Sequence, residues 1–148
     1  MSSKQALVQL VDSRLRRATT AVDGLDQRAA LIFGVNRTDL RLLDLLASQG
    51  PLTAGALARA AGISSGGMTI ALDRLERAGY VRRELNPRDR RSIVVQVTEE
   101  IGRPSQEAFG PLQARVTTVL AGYRTAELEI LAKFLESWGD AIEETLRS

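Results

Sequence analysis

The sequence lacks two residue types entirely, cysteine and histidine. Without cysteine there is no disulfide, no thiol nucleophile and no thiol redox switch, and without histidine there is no Ser-His-Asp triad. Zinc sites built from Cys and His are excluded by the same two absences. We therefore expect no metal, no cofactor and no catalytic residues of these kinds.

Carboxylate pairs remain as candidates for acid–base catalysis. Asp23 with Asp26 falls in an expected turn, and Glu143 with Glu144 falls on a polar helix face. Charged residues in such places normally serve solvation. We therefore predict that the protein is not an enzyme.

Long apolar runs are also missing. No stretch approaches the roughly 20 apolar residues that span a bilayer, and the polar start Ser2–Gln5 does not fit a secretory signal. We therefore expect a soluble, cytoplasmic protein with no membrane partner. A chain of 148 residues, 44% of them hydrophobic, has the size of one domain with its own core.

Charge is unevenly distributed along the chain. The net charge is only +2, but residues 37–92 hold ten Lys or Arg against six Asp or Glu. Residues 104–148 reverse this balance, with four against seven. Positive charge gathered in one region is typical of a surface that binds a polyanion, although a solvated charge pattern is the plainer alternative.

Residues 53–78 carry the signals of two short helices joined by a tight turn. Thr53 can cap the first helix and Gly62 can end it. Only Ile63 separates Gly62 from Ser64, the next cap candidate, and this spacing fits a helix-turn-helix. The predicted inward face is Leu57, Ala61, Ile63, Met68, Ala71, Leu72 and Leu75, and the outward face of the second helix is Ser65, Gly66, Thr69, Ile70, Asp73, Arg74 and Arg77.

A basic hairpin follows the stop at Gly79. Residues 80–85 and 92–97 alternate as strands do, and the second run is rich in β-branched residues. Residues 86–91 form a turn by composition and include three arginines. A helix-turn-helix followed by such a hairpin is a winged helix, so the predicted fold class is mainly α with a small β-wing.

Three segments carry a resemblance to a known family. They are the Ala58–Gly62 spacing, the run Leu72–Glu76 ahead of Gly79–Val81, and Pro87–Arg91 followed by Val95–Thr98. The last segment matches a D-x-R wing pattern that leads to V-x-(L)-T. On these residues the chain resembles the MarR family of bacterial transcriptional regulators over nearly its whole length.

The resemblance implies an organisation and a function. It implies a single domain over residues 1–148, with a helical dimerisation region at 1–36 and 99–148 and a winged helix-turn-helix at 37–98. It implies a homodimer that binds a near-palindromic site in double-stranded DNA. By the same resemblance, a small-molecule effector releases a repressor from that site. A winged-helix protein–protein interaction module without DNA binding is the alternative.

The recognition helix, residues 64–78, is expected in the major groove with its first turn nearest the bases. Ser64 and Ser65 can bond phosphates, and Thr69 can bond a base edge or touch a thymine methyl. Ile70 offers only apolar contact, and Arg74 can reach a guanine edge or a phosphate. Gly66 and Gly67 can permit close approach of the backbone to DNA or merely relieve packing at the turn.

The wing tip is expected in the minor groove, where arginine meets strong negative potential. By the D-x-R resemblance, Arg91 enters the groove and Asp89 holds it through an ion pair. Arg88 and Arg90 contact phosphates or share that role.

The flanking segments predict the remaining helices. A helix at residues 4–22 has an apolar stripe and is followed by a break at 23–26 and a short helix at 27–35. Thr38 caps a helix at 39–48 whose inward residues are Leu40, Leu43, Leu46 and Ala47. Thr98 caps the fifth helix, and Gly110-Pro111 should kink or break it.

The last helix, residues 125–146, carries a coiled-coil-like apolar seam, which predicts that it packs against a partner helix. The seam residues are Leu128, Leu131, Leu135, Trp138, Ile142 and Thr145/Leu146. Closure of the chain's own core is the alternative for this seam. Apolar candidates for the effector pocket are Leu10, Phe33, Leu43 and Phe109, with a phenolic or other small organic molecule as the ligand by resemblance only.

Overall fold

The computed structural model describes residues 2–148 and contains, within them, six α-helices and one three-stranded sheet. The chain divides into two compact units, one ending at Phe109 and the other beginning at Gly110. The predicted class, mainly α with a small β-wing, is confirmed. In chain order the elements are α1 (Ser3–Phe33), α2 (Arg37–Gln49), β1 (Leu52–Thr53), α3 (Ala54–Ala61), α4 (Ser65–Arg77), β2 (Val81–Asn86), β3 (Asp89–Val97), a 3-10 turn (Glu99–Ile101), α5 (Gly102–Leu120) and α6 (Thr125–Arg147).

Helix α1 is one continuous helix of 31 residues, so the predicted break at 23–26 and the separate helix at 27–35 are wrong. Ser2 opens α1 with a capping box to Gln5, and Gly34, left-handed at φ 67°, closes it. Gly24 keeps a negative φ and sits inside the helix, at a cost of about 1 kcal/mol relative to alanine. That cost is too small to end a helix that is well capped at both ends.

Helix α2 begins two residues earlier than the prediction. The Asn36 side-chain oxygen accepts the backbone N–H of Asp39 at 2.7 Å, so Asn36 is the cap and Thr38 lies inside the first turn. The predicted Ala47 is exposed, because it lies on the face of α2 that borders a cavity. The leucines that α2 buries are Leu40, Leu42, Leu43 and Leu46.

The helix-turn-helix forms as predicted from its caps. The hydroxyl of Thr53 accepts the N–H of Ala56 at 3.1 Å and opens α3, and Gly62 at φ 67° ends it. The hydroxyl of Ser64 accepts the N–H of Gly67 at 3.1 Å and opens α4. The predicted inward residues are buried, apart from a half-buried Ile63, and together with α2 and the sheet they form the core.

The sheet has the antiparallel order β1-β3-β2, with β3 in the centre. Strand β1 pairs Leu52 with Val95 and was not predicted, because two residues carry no alternation pattern. The β2–β3 pairing continues to Asn86 and Asp89, so the turn is only residues 87–88 rather than 86–91. The strand extension was missed because residues 89–91 are all charged and show no apolar alternation.

Helix α5 runs without interruption from Gly102 to Leu120, so the predicted break near Gly110 is wrong, while a kink there stays a prediction. Pro111 removes one hydrogen bond, to the carbonyl of Glu107. Glu107 and Pro111 are both exposed, so water can satisfy the freed carbonyl. The predicted cap Thr98 opens the 3-10 turn that precedes α5, where its hydroxyl accepts the N–H of Glu100 at 3.3 Å.

Helix α6 occupies nearly its predicted span but buries no residue. Leu135 is 54% exposed, Ile142 42% and Leu146 76%. Leu128, Leu131 and Trp138 are half-buried, and both explanations of the seam, a partner chain or the chain's own core, stay predictions. No helix among the described residues is long and apolar enough to cross a membrane.

Candidate nucleic-acid interface

The first two turns of α4 present small and polar groups to solvent. Ser64, Ser65, Gly66, Thr69 and Ile70 are all exposed, as their predicted outward position requires. Ile70 is 59% exposed, so it presents an apolar side chain on this outward face. The hydroxyl of Thr69 donates to the carbonyl of Ser65 at 3.1 Å, so it is left as an acceptor beside a free methyl group.

The two glycines of α4 have different surroundings. A Cβ on Gly67 would lie 3.1 Å from both the side chain of Ile63 and the hydroxyl of Ser64, so this glycine relieves packing at the turn. A Cβ on Gly66 would meet nothing within 4 Å. Gly66 therefore stays a prediction for close backbone approach to DNA, while Gly67 follows the packing interpretation.

Arg74 is engaged by a residue that the sequence did not pair with it. Its Nε donates to Asp39 Oδ2 at 2.9 Å and its Nη2 donates to Oδ1 at 2.8 Å. These hydrogen bonds raise the pKa of the Arg74 guanidinium above its ordinary value. The predicted contact of Arg74 with a guanine or a phosphate stays a prediction, but this side chain also forms an ion pair inside the protein.

Arg83 forms a similar link that sequence reasoning missed. From β2 its guanidinium hydrogen-bonds Glu76 and lies 2.7 Å from a carboxylate oxygen of Asp73. Glu76, followed by Asp73, raises the pKa of Arg83 by this hydrogen bonding. Arg83 thus links β2 to two carboxylates of α4 and offsets part of their negative charge.

Side chains in the wing, residues 81–97, hold its tip in shape. The Asn86 side chain accepts the backbone N–H of Arg88 at 3.0 Å and donates to the hydroxyl of Ser92 at 2.9 Å. A carboxylate oxygen of Asp89 accepts the backbone N–H of Arg91 at 3.0 Å. Among the described residues the Asp89 and Arg91 side chains form no ion pair, and the role of Asp89 at the DNA stays a prediction.

The three arginines at the wing tip are exposed cations without a carboxylate partner among the described residues. Arg88, Arg90 and Arg91 are exposed, and none pairs with a carboxylate of residues 2–148. Arg88 lies in the turn, whereas Arg90 and Arg91 are successive residues of β3. Successive strand residues point to opposite faces, so Arg90 and Arg91 flank the two sides of the wing.

Tyr80 ties the winged helix to the end of α1. Its hydroxyl donates to the carbonyl of Phe33 at 2.8 Å, and the two rings meet edge to face with centroids 5.4 Å apart. This contact fixes the segment that leads from α4 into the wing.

A cavity of about 600 Å³ lies beside α2. Three of the four predicted pocket residues line it, namely Phe33, Leu43 and Phe109, while Leu10 does not. The volume lies within the range of small-molecule sites, roughly 300–1,000 Å³. Charged and polar side chains share its wall with the apolar ones: Asp26, Arg37, Thr38, Arg41, Asp44 and Ser105.

One carboxylate of the cavity lies in a surrounding that disfavours its charge. Burial raises the pKa of Asp26, Arg37 lowers it, and the carboxylates of Asp44 and Asp23 raise it again, so that the net shift is upward. Arg37 is itself ion-paired with Asp23. The cavity therefore combines an apolar wall with charges that are not fully balanced.

An exposed recognition helix beside a wing with free arginines defines a winged helix-turn-helix protein. Comparison with known proteins agrees, since the sequence model of the MarR family matches residues 33–92. The uncharacterized HTH-type transcriptional regulator YcgE of Bacillus subtilis is 34% identical over 145 residues, which cover 98% of this chain and 94% of YcgE. The chain belongs to the MarR family, whose members are DNA-binding transcriptional regulators and not enzymes.

Solved structures agree on the fold. The transcriptional regulator BldR from Sulfolobus solfataricus is similar with a TM-score of 0.57 and 25% identity, over 93% of this chain and 99% of BldR. NadR, solved in complex with 4-hydroxyphenylacetate, is similar with a TM-score of 0.63 and 23% identity, over 86% of this chain and 91% of NadR.

Proposed function

We propose that this protein is a homodimeric repressor that binds a near-palindromic DNA site and leaves it when a small molecule enters the cavity beside α2. The observation that carries the DNA contact is the wing tip, where Arg88, Arg90 and Arg91 are all exposed and unpaired within the described residues. Arg74 and Arg83 beside α4 are engaged by carboxylates, so the wing holds cations that are available to a polyanion.

The two parts of the interface have different roles. The wing places arginine in a minor groove, where the potential is most negative when the groove is narrow. Helix α4 places Ser64, Ser65, Gly66, Thr69 and Ile70 in the major groove. Because this face has few long polar side chains, we expect modest base readout, with Ile70 and the Thr69 methyl favouring thymine and DNA shape supplying the rest.

The apolar surfaces of the terminal helices support a homodimer. Along α1, Leu7, Leu10, Val11 and Val22 are each about half exposed, between 46% and 60%. In the α6 seam Leu135, Ile142 and Leu146 are exposed, while Leu128, Leu131 and Trp138 are half-buried. Apolar surface of this extent marks an interaction site, and a two-fold dimer pairs like surfaces. A dimer would present two recognition helices to half-sites about one helical turn apart, roughly 34–36 Å.

The cavity supports an effector site. It has the volume of a ligand pocket, two phenylalanines in its wall, and a bordering helix α2 that is packed against α3 and the sheet. NadR, a protein of this fold, was solved with 4-hydroxyphenylacetate bound. A ligand that binds the DNA-free conformation more tightly than the DNA-binding conformation increases the population of the DNA-free one. The size of this shift is set by the difference between the two ligand affinities.

The experiment selects duplexes from random-sequence DNA and measures their binding by fluorescence anisotropy across salt concentrations. We expect a near-palindromic sequence bound by wild type, with an affinity that falls steeply with salt. The double variant Arg90→Ala with Arg91→Ala should bind weakly, and its salt slope should be smaller by about 0.9 for each phosphate that the variant no longer neutralises.

The matched control removes the same charge elsewhere. Arg115→Ala with Arg147→Ala changes two exposed arginines outside the winged helix and should leave the affinity nearly unchanged. Equal losses of affinity in both double variants would indicate that the wing arginines contribute only non-specific electrostatic attraction to DNA. A folded wild type that selects no sequence would contradict the proposal and favour the protein–protein interaction module.

A further inference from the structure

We propose that Arg74 is a positioning residue, which fixes the recognition helix α4 to α2 and does not itself read a base. This inference rests on the proposed DNA-binding function and concerns how its interface is held in place. It replaces the simplest interpretation of an arginine on the outward face of a recognition helix, which is a contact with guanine.

The acceptor of Arg74 is unusual within the molecule. Asp39 is 2% exposed and is the only charged residue that is buried among residues 2–148. Both of its carboxylate oxygens accept from Arg74, at 2.9 and 2.8 Å. A two-pronged bond of this kind fixes direction as well as distance. It joins α2 to α4 across 35 residues of sequence.

Arg74 cannot leave this position cheaply. Within the described chain, no other group donates a hydrogen bond to the Asp39 carboxylate. Removing one partner of a buried ion pair leaves an uncompensated charge inside the protein, which is strongly destabilising. The Arg74 side chain is 43% exposed, so its outer edge remains wet while its Nε and Nη2 point inward. Any contact with DNA must therefore be made from the place that Asp39 sets.

The neighbouring residues of α4 provide the contrast. Arg77, three residues on, is exposed and pairs with no carboxylate of residues 2–148, so it remains free for a phosphate. Thr69 and Ile70 are exposed on the first two turns. Base preference should therefore come from Thr69 and Ile70, and the orientation of α4 should come from Arg74.

The test is a second-site rescue at a residue that is too deeply buried to touch DNA. Arg74→Gln should weaken binding to the selected operator by about tenfold, because the buried Asp39 carboxylate loses its charged partner and α4 is no longer fixed to α2. Adding Asp39→Asn should recover most of that affinity, since two amides can hydrogen-bond without a buried charge. Affinities are measured by anisotropy at a temperature where circular dichroism shows every variant to be fully folded.

Base preference separates positioning from reading. Duplexes with single base-pair changes should rank in the same order for wild type and for Arg74→Gln. Arg77→Gln is the matched control, with one charge removed from the same helix, and Asp39→Asn should not rescue it. Loss of discrimination at one base pair in Arg74→Gln, or no rescue by Asp39→Asn, would overturn the inference.

Two further results keep the test decisive. If Arg74→Gln alone does not fold, the double variant with Asp39→Asn is compared with wild type, and an unchanged base ranking supports positioning while an altered one overturns it. If wild type binds no DNA at all, the proposed function fails and this inference fails with it. Normal wild-type binding with a failed rescue would overturn the inference alone.

Discussion

The winged helix and the last helix are both rich in leucine, yet they bury it very differently. In the winged helix Leu42, Leu57 and Leu75 are completely buried, and so is Val95 at the centre of the sheet. In α6 no residue is buried, although the helix carries a regular apolar seam. The winged helix therefore packs into a core to which Phe33 of α1 and Ala108 of α5 also contribute, whereas the seam of α6 stays partly exposed.

The arginines of the winged helix also fall into two groups, those that pair with carboxylates and those that do not. Inside the winged helix, Arg74 and Arg83 are held by carboxylates and link α4 to α2 and β2. At the tip of the wing, Arg88, Arg90 and Arg91 have no such partner among residues 2–148. On our proposals the first kind sets the shape of the interface, and the second contacts DNA.

The largest effect on stability should come from a substitution in the buried core of the winged helix. Leu75→Ala removes a side chain that is 0% exposed, and should lower the free energy of unfolding by about 2–5 kcal/mol because the cavity cannot fully collapse. Leu31→Ala makes the same chemical change at a leucine that is 82% exposed, and should cost less than about 0.5 kcal/mol. Urea unfolding measures both. Similar decreases at the two sites would show that stability does not depend on the core of the winged helix.

The next effect concerns the α6 seam. Leu135→Glu puts a charge in the middle of the proposed dimer surface and should weaken self-association by about a hundredfold or more, because an unpaired charge cannot be buried cheaply. Lys133→Glu, an exposed position on the opposite side of α6, is the control and should leave the dimer intact. Sedimentation equilibrium measures the association. An unaffected Leu135→Glu dimer would show that the seam is not the contact.

A smaller effect on stability should come from the hydrogen bond that joins the winged helix to the end of α1. Tyr80→Phe removes the hydroxyl that donates to Phe33 and leaves that carbonyl without its partner, so stability should fall by about 1 kcal/mol. Tyr123→Phe is the matched control at a tyrosine that is 45% exposed, and should change stability very little. If the urea midpoints of the two variants coincide, the bond from α1 to the winged helix contributes nothing.

The smallest effect is a pH dependence in the cavity. Burial is the main cause that raises the pKa of Asp26 above the ordinary 3.8, so its ionised form opposes folding. The stability that the protonated form contributes is complete below the ordinary pKa and is lost as pH rises through the raised one. Asp26→Asn should therefore unfold at a slightly higher temperature than wild type at neutral pH, and the gap should close below pH 3.8. A gap that is the same at both pH values would contradict this assignment.

The helix-turn-helix could be predicted closely from the sequence because its signals are local. Thr53, Gly62 and Ser64 act within a few residues of themselves, and each caps or ends a helix as expected. Where a local signal competed with its surroundings the prediction failed. Gly24 and Pro111 are poor helix residues, but each lies inside a long helix that absorbs the cost of one unfavourable residue.

The contacts of the candidate site could not be predicted in the same way. Asp39 was only the first residue of a predicted helix, and its partner lies 35 residues away. Arg83 likewise bonds a residue seven positions back, across the turn from α4 into β2. Such pairings depend on how the elements pack, and a single sequence carries no local pattern for them. The hydrogen bond of the Asp89 carboxylate to the backbone N–H of Arg91 was also not predicted, since only a pairing with the Arg91 side chain was expected.

The proposed function depends above all on two chains joining through their exposed terminal surfaces, so that the pair presents two winged helices to one DNA site. The most direct measurement is the mass of the protein, free and bound to its selected operator, by sedimentation velocity. We expect a dimer in solution and two chains on each duplex. A monomer that binds the duplex as a single chain would contradict the proposal.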